Sequence, residues 1–210
     1  VLRLLLLQQG SDVLAKDNRG ATPLHFAAHA GSETSSIVLL EHGADASASD
    51  NTGMTPLHYA AINDNSEFVV LLLLEQGVDP SAKTNDGFSP LHLASLNGLQ
   101  AVSQLLLANG ADVSAQNNEG LTSLHVASRQ GQNHLALLLL ANGADVSATN
   151  HFGETPLHFA AFGSDETMAQ LLLAHGADIQ ATTTDGRTPE DVLTAPLHFQ
   201  IAEMLRAEAV

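Results

Sequence analysis

Glycine returns along this chain about every 33 residues, and that period constrains the fold more than any other feature. One series runs Gly20, Gly53, Gly87, Gly120, Gly153, Gly186, at intervals of 33, 34, 33, 33 and 33. A second, Gly10, Gly43, Gly77, Gly110, Gly143, Gly176, keeps the same intervals. A histidine series, His25, His58, His92, His125, His158, runs in phase with both. Self-similarity at this period points to an array of small stacked units rather than one globular core.

Each period reads alike. Thr22-Pro23-Leu24-His25-Phe26-Ala27-Ala28 follows Gly20. Threonine suits a helix N-cap, and proline suits the first helical position, where its missing N–H is no loss. Leu24, Ala27 and Ala28 give that short helix one small apolar face, and it stops near Gly31. A second helix carries Val38, Leu39 and Leu40 and ends at Gly43, a residue fitted to the left-handed C-cap. Asp50-Asn51-Thr52-Gly53 then has turn chemistry. A single unit leaves its leucine stripe bare, and stacking covers it. The pattern predicts an all-α repeat solenoid of stacked helix-loop-helix units joined by β-hairpin-like turns.

The pattern resembles the ankyrin repeat. The Thr-Pro-Leu-His-x-Ala mark of that family stands here as Thr22–Ala27, Thr55–Ala60, Ser89–Ala94, Thr122–Ala127 and Thr155–Ala160. Its Gly-Ala-Asp ending stands at Gly43, Gly110, Gly143 and Gly176, with close variants at Gly10 and Gly77. The expected organisation is one domain over 1–210. It comprises a truncated repeat at 1–15, full repeats at 16–49, 50–83, 84–115, 116–148 and 149–181, and a C-terminal capping repeat at 182–210. Leu2, Leu5, Leu6 and Leu7 read as a second helix without its first, so the natural chain is expected to extend upstream. Glu203, Arg206 and Glu208 give the last helix the polar face of a cap.

Departures from the period make local predictions. The unit from Gly53 to Gly77 is longer by one residue, assigned to the Asn63-Asp64-Asn65-Ser66 loop. Ser123 replaces the motif proline in one unit. Ser35 and Ser36 stand where other second helices carry Val69-Val70 or Met168-Ala169, so that helix should be the least well packed at its start.

Composition closes off much chemistry. The chain has 210 residues, no cysteine and a formal net charge of −16. Such acidity opposes binding to nucleic acid or to an anionic membrane, and the longest apolar runs are far short of the roughly 18 residues of a membrane span. The absence of cysteine removes disulfides, thiolate zinc sites and thiol catalysis. Of the 11 histidines, five are motif residues. The resemblance implies that these hold adjoining turns by hydrogen bonds. The others lack ligand spacing, and His42 and His175 precede C-cap glycines, where a helix dipole favours a cation. Asp165-Glu166 and Glu190-Asp191 are sequence neighbours with no sign of a desolvated cleft. No metal, cofactor or catalytic site is expected, and the chain reads as no enzyme.

The resemblance implies that partners contact the turn tips and first helices, on the concave side of the stack. Apolar residues at those positions are Met54, Ile62, Phe88, Leu96, Leu121, Phe152 and Phe162, with Arg129 among them to pair with an acidic neighbour. Asp64, Asp86, Glu119, Glu154 and Asp165 flank this stripe. The expected partner is a protein or extended peptide with an apolar centre and basic flanks. An adaptor role, a mainly monomeric state and a cytoplasmic or nuclear location complete the expectation. The alternative is a scaffold that self-associates through its stripe or its uncapped N-terminal end.

Overall fold

The computed structural model describes residues 12–163 and 165–192. The leucine helix expected near the N-terminus and the polar helix expected to close the C-terminus lie outside the described residues. Among the described residues there are ten helices and no strand. The chain divides after Asp112 into two compact units. The first holds α1 (Pro23–His29), α2 (Glu33–Glu41), α3 (Pro56–Ala60), α4 (Glu67–Glu75), α5 (Pro90–Leu96) and α6 (Gln100–Ala108). The second holds α7 (Ser123–Arg129), α8 (Asn133–Ala141), α9 (Pro156–Gly163) and α10 (Glu166–Ala174). Within each unit, paired helices stack on the pairs beside them.

The odd-numbered helices begin as the sequence predicts. At Thr22, Thr55, Ser89 and Thr122 the N-cap residue has extended backbone angles, and a capping box closes on the residue three places later. That residue is histidine, where such boxes ordinarily use Glu or Gln. The even-numbered helices bury a stripe with helical spacing: Val69, Val70 and Leu73 in α4, Leu135, Ala136 and Leu139 in α8. α2, α6, α8 and α10 stop at a Schellman cap. In α2, Ala44 N–H donates to Leu39 C=O at 3.0 Å and Gly43 N–H to Leu40 C=O at 3.0 Å. Gly43 has φ +87°, and a Cβ there would meet nothing within 4 Å. Glycine is therefore required at Gly43 by backbone conformation alone. The Asp that follows closes a turn, Asp45 Oδ1 accepting from Ser47 N–H at 2.9 Å.

The longer loop falls where the period places it, and of the two serines at the start of α2 Ser36 is fully buried. The helix α3 is five residues long, and Ala61 to Ser66 carry the extra residue before α4. Ser66 Oγ closes that loop with bonds to the carbonyls of Ala60 and Asn63. At the start of α2, Ser35 is half-buried where Val69 and Met168 are fully buried. The motif pair Ala27-Ala28 recurs as Ala94-Ser95 and Ala127-Ser128, and both of these serines are fully buried. The hydroxyls of Ser95 and Ser128 have no hydrogen-bond partner, as is also true of Ser36 and Ser123.

Two stability changes should follow, both measurable by equilibrium urea unfolding. Leu106, fully buried in α6, should lose about 2–5 kcal/mol on replacement by alanine. Ser95→Ala removes an unsatisfied hydroxyl and restores the residue that sibling repeats carry, and should gain about 1 kcal/mol.

Candidate functional site

The turns that carry the candidate residues are built on one plan. Where the first turn position is Asp or Asn, its side-chain oxygen takes backbone N–H groups two and four residues on; at Thr84 the hydroxyl takes only Phe88 N–H, at 3.1 Å. Asp50 Oδ1 accepts from Thr52 N–H at 2.8 Å and Met54 N–H at 3.0 Å; Asn150 Oδ1 accepts from Phe152 N–H at 3.0 Å and Glu154 N–H at 2.9 Å. Successive turns are joined by backbone bonds: Asn51 N–H to Arg19 C=O and Asn85 N–H to Thr52 C=O, each 2.8 Å, in the first unit. In the second, His151 N–H donates to Glu119 C=O at 3.0 Å and Thr184 N–H to Phe152 C=O at 2.8 Å. The turn glycine permits this approach. Gly53 has φ +81°, and a Cβ there would stand 2.8 Å from Asn85 N.

A buried imidazole then ties each helix start to the following turn. The N–H of Thr55 donates to His58 Nδ1 at 3.1 Å, and the Thr55 hydroxyl lies 2.9 Å from the same nitrogen. A backbone N–H can only donate, so Nδ1 is the bare nitrogen and the proton sits on Nε2. Nε2 donates to Phe88 C=O at 3.1 Å. His25 reaches Met54 C=O at 3.0 Å, His125 reaches Glu154 C=O and His158 reaches Arg187 C=O, both at 3.1 Å. The hydrogen-bonding role implied for the motif histidines is thus present. Burial pushes the His58 imidazole down from 6.5 to about 4, and the same cause lowers His25 and His158. The residues whose carbonyls are held, Met54, Phe88 and Glu154, belong to the candidate face, so their backbones are fixed before any partner arrives.

In the first unit, Leu96 is 45% exposed, while Met54, Ile62 and Phe88 are half-buried. The Phe88 ring stands edge-on to His92, with centroids 5.8 Å apart. In the second unit, Phe152 is 59% and Phe162 53% exposed, and Arg129 is open to solvent. Leu121 departs from the expectation of an exposed stripe. It is only 9% exposed, because its side chain lies along the wall of a groove instead of standing on the turn tip. Arg129 also departs: rather than pairing with a carboxylate, its guanidinium lies 5.8 Å from the centroid of the Phe162 ring. Asp165, expected on the acidic edge, caps α10 by accepting from Met168 N–H at 2.9 Å.

The groove has a volume of about 320 Å³ and brings Leu121, Arg129, Phe152 and Phe162 together with Glu119, Glu154, Phe159 and Asp191. Sequence reasoning missed Phe159. It fills the variable place of the Thr-Pro-Leu-His-x-Ala mark and lies three residues before Phe162, so the two share a helix face. Tyr59 fills the same place in the first unit. Its hydroxyl donates to Asp50 Oδ2 at 2.9 Å, and its ring stands edge-on to His25. Burial together with that bond pushes the Tyr59 phenol up. Burial acts to raise the Asp50 carboxyl, but the bonds from Thr52, Tyr59 and Met54 outweigh it and hold the group low.

Among the described residues no three His, Cys, Asp or Glu side chains gather in a way that could hold a metal ion. No helix there is long and apolar enough to cross a membrane. What the geometry presents is a repeat protein with rigidly held turns and a groove of aromatic and acidic side chains, which is the anatomy of a binding module. A family model for ankyrin repeats matches in three copies, over residues 1–84, 71–150 and 124–209, and the chain belongs to the ankyrin repeat family. A search of curated proteins returned no match. Chains of this family are in general protein–protein interaction modules.

The imidazole clamp has a pH signature. Unfolded His58 takes a proton below 6.5, and folded His58 only near 4. Between these values the unfolded chain binds more protons, so the contribution of His58 is full above pH 6.5 and falls as the pH drops toward 4, by roughly 3 kcal/mol. An NMR titration should show the His58 ring neutral with its proton on Nε2 until about pH 4, and titration near 6.5 would refute the clamp.

Proposed function

We propose that this chain is a non-catalytic module that holds a partner protein or extended peptide along its turn tips and first helices, the side the family resemblance makes concave. The observation that carries the reading is the second unit's groove, where the exposed rings of Phe152 and Phe162 stand among Glu119, Glu154 and Asp191. Exposed aromatic rings on a fixed backbone are the kind of surface that anchors a partner. The net charge of −16 selects for basic flanks and against nucleic acid. The first unit carries Met54, Ile62, Phe88 and Leu96 at the corresponding turn and helix positions. An adaptor that presents the bound segment to other proteins, in the cytoplasm or nucleus, is the role this reading assigns.

A triple variant, Leu96→Ser with Phe152→Ser and Phe162→Ser, tests the face. These side chains are exposed, so its circular dichroism and melting should stay close to the parent's. Proteins that the parent chain retains from a lysate should be lost. Retention of the same proteins by a folded triple variant would place binding elsewhere.

A second reading has its own observation. Phe68 and Leu71, one turn apart on α4, are both exposed, as a self-associating scaffold would require. Light scattering across a wide concentration range decides it: rising mass supports this reading, and a constant monomer mass removes it.

A further inference from the structure

We propose that the groove of the second unit is a socket for one guanidinium, an arginine side chain of the partner segment, laid against the Phe152 ring with its charge met by Glu119 and Glu154. The inference rests on the peptide-binding reading above and gives that site its anchor residue.

The groove already shows the chemistry within the chain itself. Arg129 lies over Phe162, with its guanidinium carbon 5.8 Å from the ring centroid. A planar, weakly hydrated cation is therefore compatible with this wall. Phe152 offers a second ring, 59% exposed. Its position is fixed by its N–H on Asn150 Oδ1 at 3.0 Å and by Thr184 N–H on its carbonyl at 2.8 Å. The ring that would receive a stacked cation is thus carried on a fixed backbone.

Charge balance points the same way. Glu119, Glu154 and Asp191 line the groove with Arg129 and Arg187. Arg187 Nε is taken up by Asp185 Oδ2 at 2.9 Å. Arg129 is directed at a ring. Among the described residues, no ion pair reaches the lining carboxylates of Glu119 or Glu154, whereas Asp191 Oδ2 already accepts from Thr188 N–H at 2.9 Å and from its hydroxyl at 2.8 Å. One Glu154 oxygen accepts from Asn150 Nδ2 at 2.7 Å, which orients the carboxylate on the groove wall. An apolar anchor would strip water from these carboxylates and return nothing, whereas a guanidinium answers both rings and carboxylates. The volume of about 320 Å³ lies at the lower end for ligand sites and suits one long side chain.

The test uses the 210-residue chain and fluorescent decapeptide libraries with random flanks and one fixed central residue: arginine, lysine, citrulline or leucine. Citrulline keeps the shape of arginine and removes its charge. Arginine-centred peptides should be enriched, and exchange to citrulline should weaken each by roughly tenfold or more. Phe152→Ala and Glu119→Gln should each weaken the arginine peptides with melting unchanged, and Glu119→Gln should also flatten the salt dependence. If citrulline or leucine peptides bind as well as arginine ones and Phe152→Ala weakens them all, the socket is overturned while the peptide-binding reading stands. If peptides bind and a folded Phe152→Ala, Phe162→Ala variant holds them unchanged, both fall. If no library binds at 100 μM in low salt, the socket is overturned.

Discussion

The buried imidazole is the joint on which this structure depends. It accepts from the backbone N–H of the N-cap residue through Nδ1 and donates through Nε2 to a carbonyl of the following turn. A rigid ring with one acceptor and one donor on separate atoms does this only when neutral. Burial enforces that state, because a charged ring would be desolvated and would face a backbone N–H with another proton. The same ring therefore completes a helix start, fixes its own tautomer and sets the distance between neighbouring turns. Removing any one of these bonds leaves a buried polar group unpaired, which is why a single residue type recurs at His25, His58, His92, His125 and His158.

Two glycine series with one spacing serve different physical ends. Gly43 is a matter of backbone angle, since a side chain there would point into open space. Gly53 is a matter of angle and of room, since the backbone of Asn85 lies where a Cβ would go. Close approach at the turns is what lets one turn donate to the next. Those bonds hold the residues after each turn glycine in place while leaving their side chains free to differ. The period thus builds a scaffold whose motif leucines and histidines are buried and whose variable positions sit on a hydrogen-bonded backbone.

That division explains what was legible in the sequence. Glycine, proline and histidine act through local geometry, so helix starts, C-caps and turns could be read from spacing, as could the extra loop residue before α4. The half-burial of Ser35 followed from comparing it with Val69 and Met168 in sibling repeats. The site was legible only in part. Leu121 occupies the same register place as Phe88 and Met54, yet it is buried, and its burial depends on which side chains neighbouring repeats bring to the groove. Arg129 lies over Phe162 rather than against a carboxylate for the same reason. Phe159 was accessible to reasoning, since helical spacing puts it on the face of Phe162. A rule that counts only turn tips and helix ends passes over the variable place inside the motif.

Charge and shape divide the work of recognition. A net charge of −16 over 210 residues acts at long range, raises encounter with basic partners and is screened by salt. It cannot tell one basic segment from another. Discrimination has to come from groups that lose water on contact, and on the proposed reading these are Phe152, Phe162 and Leu121 with the carboxylates of Glu119 and Glu154. A partner lacking the matching cation leaves those carboxylates poorly paired, and one lacking an apolar or planar surface leaves the rings wet. Because the imidazole clamp has already fixed the backbone under Glu154, and the turn-to-turn bond that under Phe152, binding need not order the backbone there. The interaction that joins the repeats is thus also what holds the backbone under the proposed binding groove.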